Sequence, residues 1–287
     1  MALEDRLRQE SQRTGTPLLR LRRRVVFERL LVRLTLNSSL QWIVKGGMAL
    51  ELRDPQRSRM TRDLDMSIHE AAFEDTELRA QLANALMADT HRDHFQFSVK
   101  DPKPLGDGPD QQPTWRFIVS AALAGKPFET VILDVANRPQ ESVETELLDL
   151  PDTLRFADIP TIQVPTVNRA RHFAEKLHAL TTTYDDRVNT RVKDLPDLLL
   201  LIQDGLEPTA ELRSTVEVVF AERATHQVPV TLDVPASWAS AYHEMATELN
   251  LEQSSLDGAV DLLQQFWNRT LGSLGLGDRA PGADEVE

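Results

Sequence analysis

Residues 45–65, KGGMALELRDPQRSRMTRDLD, admit few folds. The apolar run Trp42-Ile43-Val44 just before them reads as a strand. It runs into Gly46-Gly47, after which Ala49, Leu50 and Leu52 predict a brief helix. Arg53 to Arg62 is a polar loop that delivers Asp63-Leu64-Asp65 into a second strand ending near Ile68. Residues i and i+2 of a strand share a side, so Asp63 and Asp65 present two carboxylates together at a sheet edge or end, while Leu64, Met66 and Ile68 form the apolar alternate face. Like charges that close cost free energy unless a cation lies between them. Such a pair suits Mg²⁺, which takes oxygen ligands while keeping waters and substrate phosphates. Adjacent glycines turning into a helix N-terminus expose backbone N–H groups, a seat for phosphate. The plain alternative is a solvated loop and a surface strand, and the apolar alternate face speaks against it.

The rest of the first half reads as further strands and helices. Thr16-Pro17 opens a long helix to about Asn37, striped by Leu18, Leu21, Val25, Val26, Leu30 and Leu34. Its other faces carry Arg20, Arg22, Arg23, Arg24, Arg29 and Arg33, either a solvated basic face or a surface for RNA. A helix over 75–88 precedes strands at 95–99, 115–122 and 128–136, with a flexible Pro/Gly/Asp-rich loop at 101–113. The last strand has the core VILDV, and its single charge is Asp134. A carboxylate in such a run is costly unless paired or bound to metal. Asp134 either marks the strand end and caps a turn at Asn137-Arg138-Pro139, or reaches the cation of Asp63 and Asp65 from an adjacent strand.

Residues 140–167, rich in acids and prolines with a short strand at 161–164, read as the crossing to a second domain. From Asn168 the pattern is helical, with strand character returning only around Val228–Val234. Three regions result: 1–165 with the N-terminal helix, a mainly helical 166–271, and a disordered tail over 272–287. Strands first and helices after make an α+β chain.

The net charge of -13 argues against indiscriminate coating of nucleic acid. Residues 1–62, however, hold 14 Lys/Arg against 6 Asp/Glu, a balance of +8 that leaves -21 for the remainder. A local basic surface near the proposed site and an acidic C-terminal body follow. No cysteine is present, which excludes disulfides and thiolate metal sites. Without a membrane-length apolar run or a basic-plus-apolar leader, the expected location is the cytoplasm, away from membranes.

The order GG, Thr61, then Asp63-x-Asp65 resembles the nucleotidyltransferase superfamily that includes DNA polymerase beta. The fuller strings KGGMAL and RMTRDLDMSI resemble the AbiEii/AbiGii toxin-type nucleotidyltransferases, including MenT-like toxins. AEKLHAL (174–180) and RVKDLPDL (191–198) are similar to that family's EK- and KD-containing helices. The resemblance implies a polymerase-beta-like domain with a mixed sheet, followed by a helical domain completing the active site. It implies Asp63, Asp65 and Asp134 as ligands of Mg²⁺, with Mn²⁺ as the alternative ion. Lys45, Gly46, Gly47, Thr61 and Lys176 would bind the NTP substrate, and Asp194 would act as a base or orient a hydroxyl or the lysine. Against these stand a surface lysine on an amphipathic helix for Lys176 and a plain N-cap for Asp194. Arg187 and Arg191 are candidates for nucleic-acid phosphate. Met48 stands where the family often has a small hydroxyl residue, and Thr61 where Ser is common.

The implied activity is transfer of a nucleoside monophosphate to RNA, at the tRNA 3′ acceptor end, by the toxin of a toxin–antitoxin or phage-defence pair with a protein antitoxin. The alternatives are transfer to a protein or small-molecule hydroxyl, and a non-catalytic binding module on the same fold. A neighbouring antitoxin gene would favour the first.

Overall fold

The structure, a computed structural model, describes residues 2–55, 57–59, 61–69, 75–107, 113–138, 145–184 and 188–273. They form two compact units, one of residues 1–56 and 60–167, the other of 57–59 and 168–287.

The first unit opens with helices α1 (Ala2–Thr14) and α2 (Leu18–Asn37). Then come strand β1 (Ile43–Val44), helix α3 (Gly46–Arg53), β2 (Asp63–Ile68), α4 (Asp75–Met87), β3 (Phe95–Val99), β4 (Lys103–Asp107), β5 (Pro113–Leu123), β6 (Lys126–Asn137), β7 (Thr145–Asp149) and β8 (Gln163–Val167). The strands make one mixed sheet in the order β3-β5-β6-β2-β1-β8-β7, with β4 also paired to β5. β2 runs parallel to β6 and β1 parallel to β8; the other pairings are antiparallel. Alternation sorts each strand into two faces. Leu64, Met66 and Ile68 of β2 line up with Leu133 and Val135 of β6 and with Trp115 and Phe117 of β5, and all are buried in the core.

Three expectations change here. The loop predicted over 101–113 contains a strand, Lys103–Asp107, because β5 is long enough to pair beyond β3. The acidic segment 140–167 is no mere crossing: β7 and β8 pair as neighbours, and β8 joins the sheet through β1 at Thr166. The arginines of α2 are not a solvated face. The helix is buried continuously from Val25 to Leu34, packed on β6, β8 and α4. Arg33 is 0% exposed and donates both Nη groups to Asp93 at 2.7 Å, with Arg29 also buried beside it. Arg22 pairs with Glu4 and Arg24 with Glu51. Four of the helix's arginines are therefore engaged in internal ion pairs.

The second unit contains α5 (Arg169–Thr181), α6 (Asp194–Gln203), α7 (Ala210–Arg223), α8 (Ala239–Glu248) and α9 (Leu256–Gly272). Asn168 and Thr209 cap α5 and α7 through their side chains, as Ser255 caps α9. Phe173, Phe266 and Trp267 fill the core. The buried aromatics find polar partners, Trp267 Nε1 donating to Pro229 O and Trp238 Nε1 to Asn189 O. Val228–Val234 is not a strand. Its backbone is met by α9 side chains instead, Trp267 at Pro229 and Gln264 at Val230 and Leu232. Of the predicted tail, residue 272 ends α9 and 274–287 lie outside the described residues. No helix among the described residues is long and apolar enough to cross a membrane.

Candidate functional site

The polar side of the central strands is where the acidic residues gather. Register places Asp65 of β2 beside Asp134 of β6, and Arg116 of β5 on the other side of Asp134. One row across three strands thus reads Arg116, Asp134, Asp65, with Asp63 two residues earlier on the same face of β2. Carboxylate oxygens of Asp63, Asp65 and Asp134 all lie within 4.8 Å of one another, and the three residues are half-buried. β2 is an interior strand and Asp63 is its first residue, so the pair stands at the strand's end and not at an edge of the sheet.

Whether a divalent cation fits is decided by donor chemistry. Three carboxylates and no nitrogen or sulfur make a hard, all-oxygen set of the kind Mg²⁺ and Mn²⁺ take. Oxygens on one Mg²⁺ sit up to about 4.2 Å apart, so only small side-chain rotations close the set around an ion. The residues fit.

Asp134 has a partner that local sequence did not reveal. Arg116 Nε and Nη2 donate to its two oxygens at 2.8 and 2.7 Å. That hydrogen bonding first, and then the fields of Asp134, Asp63 and Asp65, outweigh burial and raise the Arg116 pKa.

Gly46 is required by two features. Its φ of +58° lies in the left-handed region, and a Cβ there would stand 2.0 Å from Asp65 Oδ2. The start of α3 is thereby pressed onto the Asp65 carboxylate, and Lys45 N–H donates to Asp65 O at 2.9 Å. Gly47 is buried in the first turn of α3, and Met48 is fully buried in the core. Thr61 is buried, and its hydroxyl donates to Asp63 O at 2.9 Å, which fixes the entry to β2.

In the second unit, Lys176 is buried, not a surface lysine. Its Nζ donates to Asp197 Oδ2 at 2.6 Å and Asp194 Oδ1 at 3.2 Å. Burial disfavours its charge, but Asp197 and then Asp194 outweigh that and raise its pKa. Asp197, 0% exposed, also takes a forked pair of bonds from Arg59, and the two cations hold its pKa low against burial. Asp194 is not the N-cap: Lys193 holds that position without a side-chain bond. The Asp194 carboxylate turns inward instead, 2.7 Å from Arg191 Nε as an ion pair. Arg187 lies outside the described residues. Asp197 was hidden in the sequence as an ordinary acid of a helix's first turn, and Arg59 lies 138 residues from it.

Comparison with known proteins bears on this arrangement. The sequence profile of the family described as nucleotidyl transferase AbiEii toxin, type IV toxin–antitoxin system, matches residues 29–286. A search of curated protein sequences finds no match. Among solved structures the fold is similar to MenT4, a nucleotidyltransferase toxin from Mycobacterium tuberculosis, with 18% identity, 94% of this chain and 89% of that one covered, and a TM-score of 0.60. An antigenic nucleotidyltransferase-like protein from Paracoccidioides brasiliensis also matches, at 15% identity, 73% and 95% coverage and a TM-score of 0.39.

Proposed function

The chain belongs to the AbiEii nucleotidyltransferase toxin family, and from that premise we propose that it transfers a nucleoside monophosphate from an NTP to the 3′ acceptor end of tRNA, releasing pyrophosphate. The observation that carries the chemistry is the cluster of Asp63, Asp65 and Asp134 within 4.8 Å on one sheet face. Asp63, Asp65 and Asp134 would hold the divalent ion, Mg²⁺ or Mn²⁺, which when bound supplies Lewis-acid charge at the reacting phosphate and hydroxyl. Gly46 and Gly47 offer backbone N–H groups to the triphosphate at the start of α3, while Lys45, whose own N–H is held by Asp65 O, anchors the turn that leads into them. Thr61 keeps the strand entry in place, and its oxygen can still accept from a bound water.

Lys176, which matches the family's EK motif, adds positive charge to the triphosphate. It stays protonated, and with its Nζ buried against Asp197 and Asp194 it acts through its charge and not as a base. Asp194 orients that lysine. A general base must touch the hydroxyl it deprotonates, and at 0% exposure the Asp194 carboxylate does not present itself to a substrate. Asp197 holds Lys176 and Arg59 together, and Asp63 follows Arg59 four positions on in the chain. In the cell the activity is restrained by a protein antitoxin, as family membership implies, in a toxin–antitoxin or phage-defence setting.

One observation favours a second acceptor class, a protein or small-molecule hydroxyl. Four of the six α2 arginines that would have faced RNA, Arg22, Arg24, Arg29 and Arg33, are instead buried or paired with acids. Incubation with each α-labelled NTP, Mg²⁺ and total cellular RNA and protein separates the readings. Label in tRNA is the expected result. Label in protein or in a small molecule replaces the acceptor, and no label with any NTP overturns the transfer itself.

A further inference from the structure

We propose that Arg116 is a positioning residue, a built-in counter-cation that holds Asp134 in line with Asp65 and keeps metal affinity low until a triphosphate arrives. This rests on the metal-site reading above and adds to it a residue that no family motif supplied. Three carboxylates share one small patch of sheet, and their repulsion has to be relieved whenever no metal is bound. Arg116 is directly opposite Asp134 on the neighbouring antiparallel strand. Its guanidinium grips both carboxylate oxygens in a planar fork and cannot give up its charge. A structural cross-strand pair would serve Asp134 alone. This guanidinium also lies within the fields of Asp63 and Asp65, so it partly neutralises the whole cluster.

The two partners differ in exposure, and that gives the arrangement its direction. The Asp134 side chain is 12% exposed while that of Arg116 is 36% exposed. The carboxylate is fixed in the sheet, whereas the arginine sits at the rim. An ion reaching Asp134 must compete with the fork for its oxygens, and it does so in the field of a neighbouring positive charge. Phosphate oxygens delivered with a nucleotide shift that competition toward the ion, since they add ligands and negative charge at once.

Titration of the full chain with Mn²⁺, followed by the electron paramagnetic resonance of free Mn²⁺, tests this without reference to activity. Without nucleotide, Arg116→Gln should bind Mn²⁺ about tenfold more tightly than the parent, the scale of one lost charged hydrogen-bond competitor. Arg116→Lys, which keeps charge but loses the fork, should fall between the two. With a non-hydrolysable NTP analogue the gap should narrow. Should Arg116→Gln fail to fold by circular dichroism, the intermediate affinity of Arg116→Lys decides alone. Equal or weaker Mn²⁺ binding in the folded Arg116 variants, while Asp63→Asn loses it, overturns the role of Arg116 and leaves the metal site standing. Parent-like Mn²⁺ binding in both Asp63→Asn and Asp65→Asn overturns the metal site and this inference with it.

Discussion

The two ionic clusters of this protein are built on opposite principles. On the sheet of the first unit, three half-buried carboxylates face one guanidinium, and the balance is negative. In the helical unit, Arg59, Lys176 and Arg191 face two fully buried carboxylates, Asp194 and Asp197, and the balance is positive. An under-neutralised, part-exposed cluster gains by binding a cation, whereas a buried network of ion pairs is already organised before any ligand comes. The first cluster is thus suited to metal, and the second to holding Lys176 charged and fixed in its own unit. The same contrast predicts that the first tolerates loss of its acids in folding but not in function, and that the second does not tolerate loss even in folding.

The largest expected effect is on activity. Asp63→Ala or Asp65→Ala should each reduce nucleotide transfer, and growth inhibition in a host cell, to background. The double variant should be no worse, because both residues serve one site. Melting without metal should show stability held or raised, since charge repulsion is relieved. A large drop in stability would make the cluster a structural one like its counterpart.

Next comes the buried network. Lys176→Ala and Asp197→Ala should each cost about 3–5 kcal/mol, because each strands opposite charges in the interior. A shift of urea midpoint at unchanged slope measures it. A surface lysine on an amphipathic helix would behave otherwise, and a cost under about 1 kcal/mol, typical of exposed pairs, would restore that reading.

Gly46→Ala should cost about 2–3 kcal/mol through left-handed strain and the collision with Asp65. It should also weaken Mn²⁺ binding, which Gly125→Ala, a left-handed glycine with open space around it, should not.

The most gradual effects, smallest per step of the variable changed, come with pH, and the two units should respond in opposite directions. Glu28 of the first unit is wholly buried, which pushes its pKa to about 8 against the lowering by Thr153. A raised carboxyl pKa gives stability that is full below the unfolded value near 4.5 and lost as pH rises toward 8. His178 of the second unit is pushed down to about 3, by burial first and then by Arg223 and His226. Its neutral form belongs to the fold, so that stability is full above 6.5 and lost as pH falls toward 3. Each slope is at most about 1.4 kcal/mol per pH unit. Variants retaining only the tryptophans of one unit, Trp42 and Trp115 or Trp238 and Trp267, report each slope separately. Glu28→Gln should flatten the first slope alone, and parallel slopes in the two units would remove the contrast.

How much of this was legible in the chain depended on how local the signal was. Asp63-x-Asp65 on a strand with Leu64, Met66 and Ile68 opposite could be read directly, because period two is written in consecutive residues. Asp134 stood out as a lone charge in VILDV. Its partner did not, since Arg116 meets it only through the register of β5 on β6, 18 residues away. Arg29 and Arg33 looked solvated because an arginine buried against Asp93, some 60 residues distant, has the same local pattern as one on a surface. Lys176 and Asp194 were picked out only by likeness to a family's motifs, and Asp197 passed as a helix-start acid although it makes the shorter bond to the lysine. Of the β7–β8 pair, β8 was legible as the short strand at 161–164, whereas β7 was lost among acids and prolines, which mask a strand that a sheet nonetheless recruits.

Where a nucleotide and its ion bind is the most direct test of the proposed site. A structure determined with Mg²⁺ and a non-hydrolysable NTP should place the ion about 2.1 Å from carboxylate oxygens of Asp63, Asp65 and Asp134, with the triphosphate against the start of α3 at Gly46 and Gly47. Triphosphate bound more than about 10 Å from those carboxylates, far beyond any Mg–O bond, or an ion held elsewhere, would contradict it.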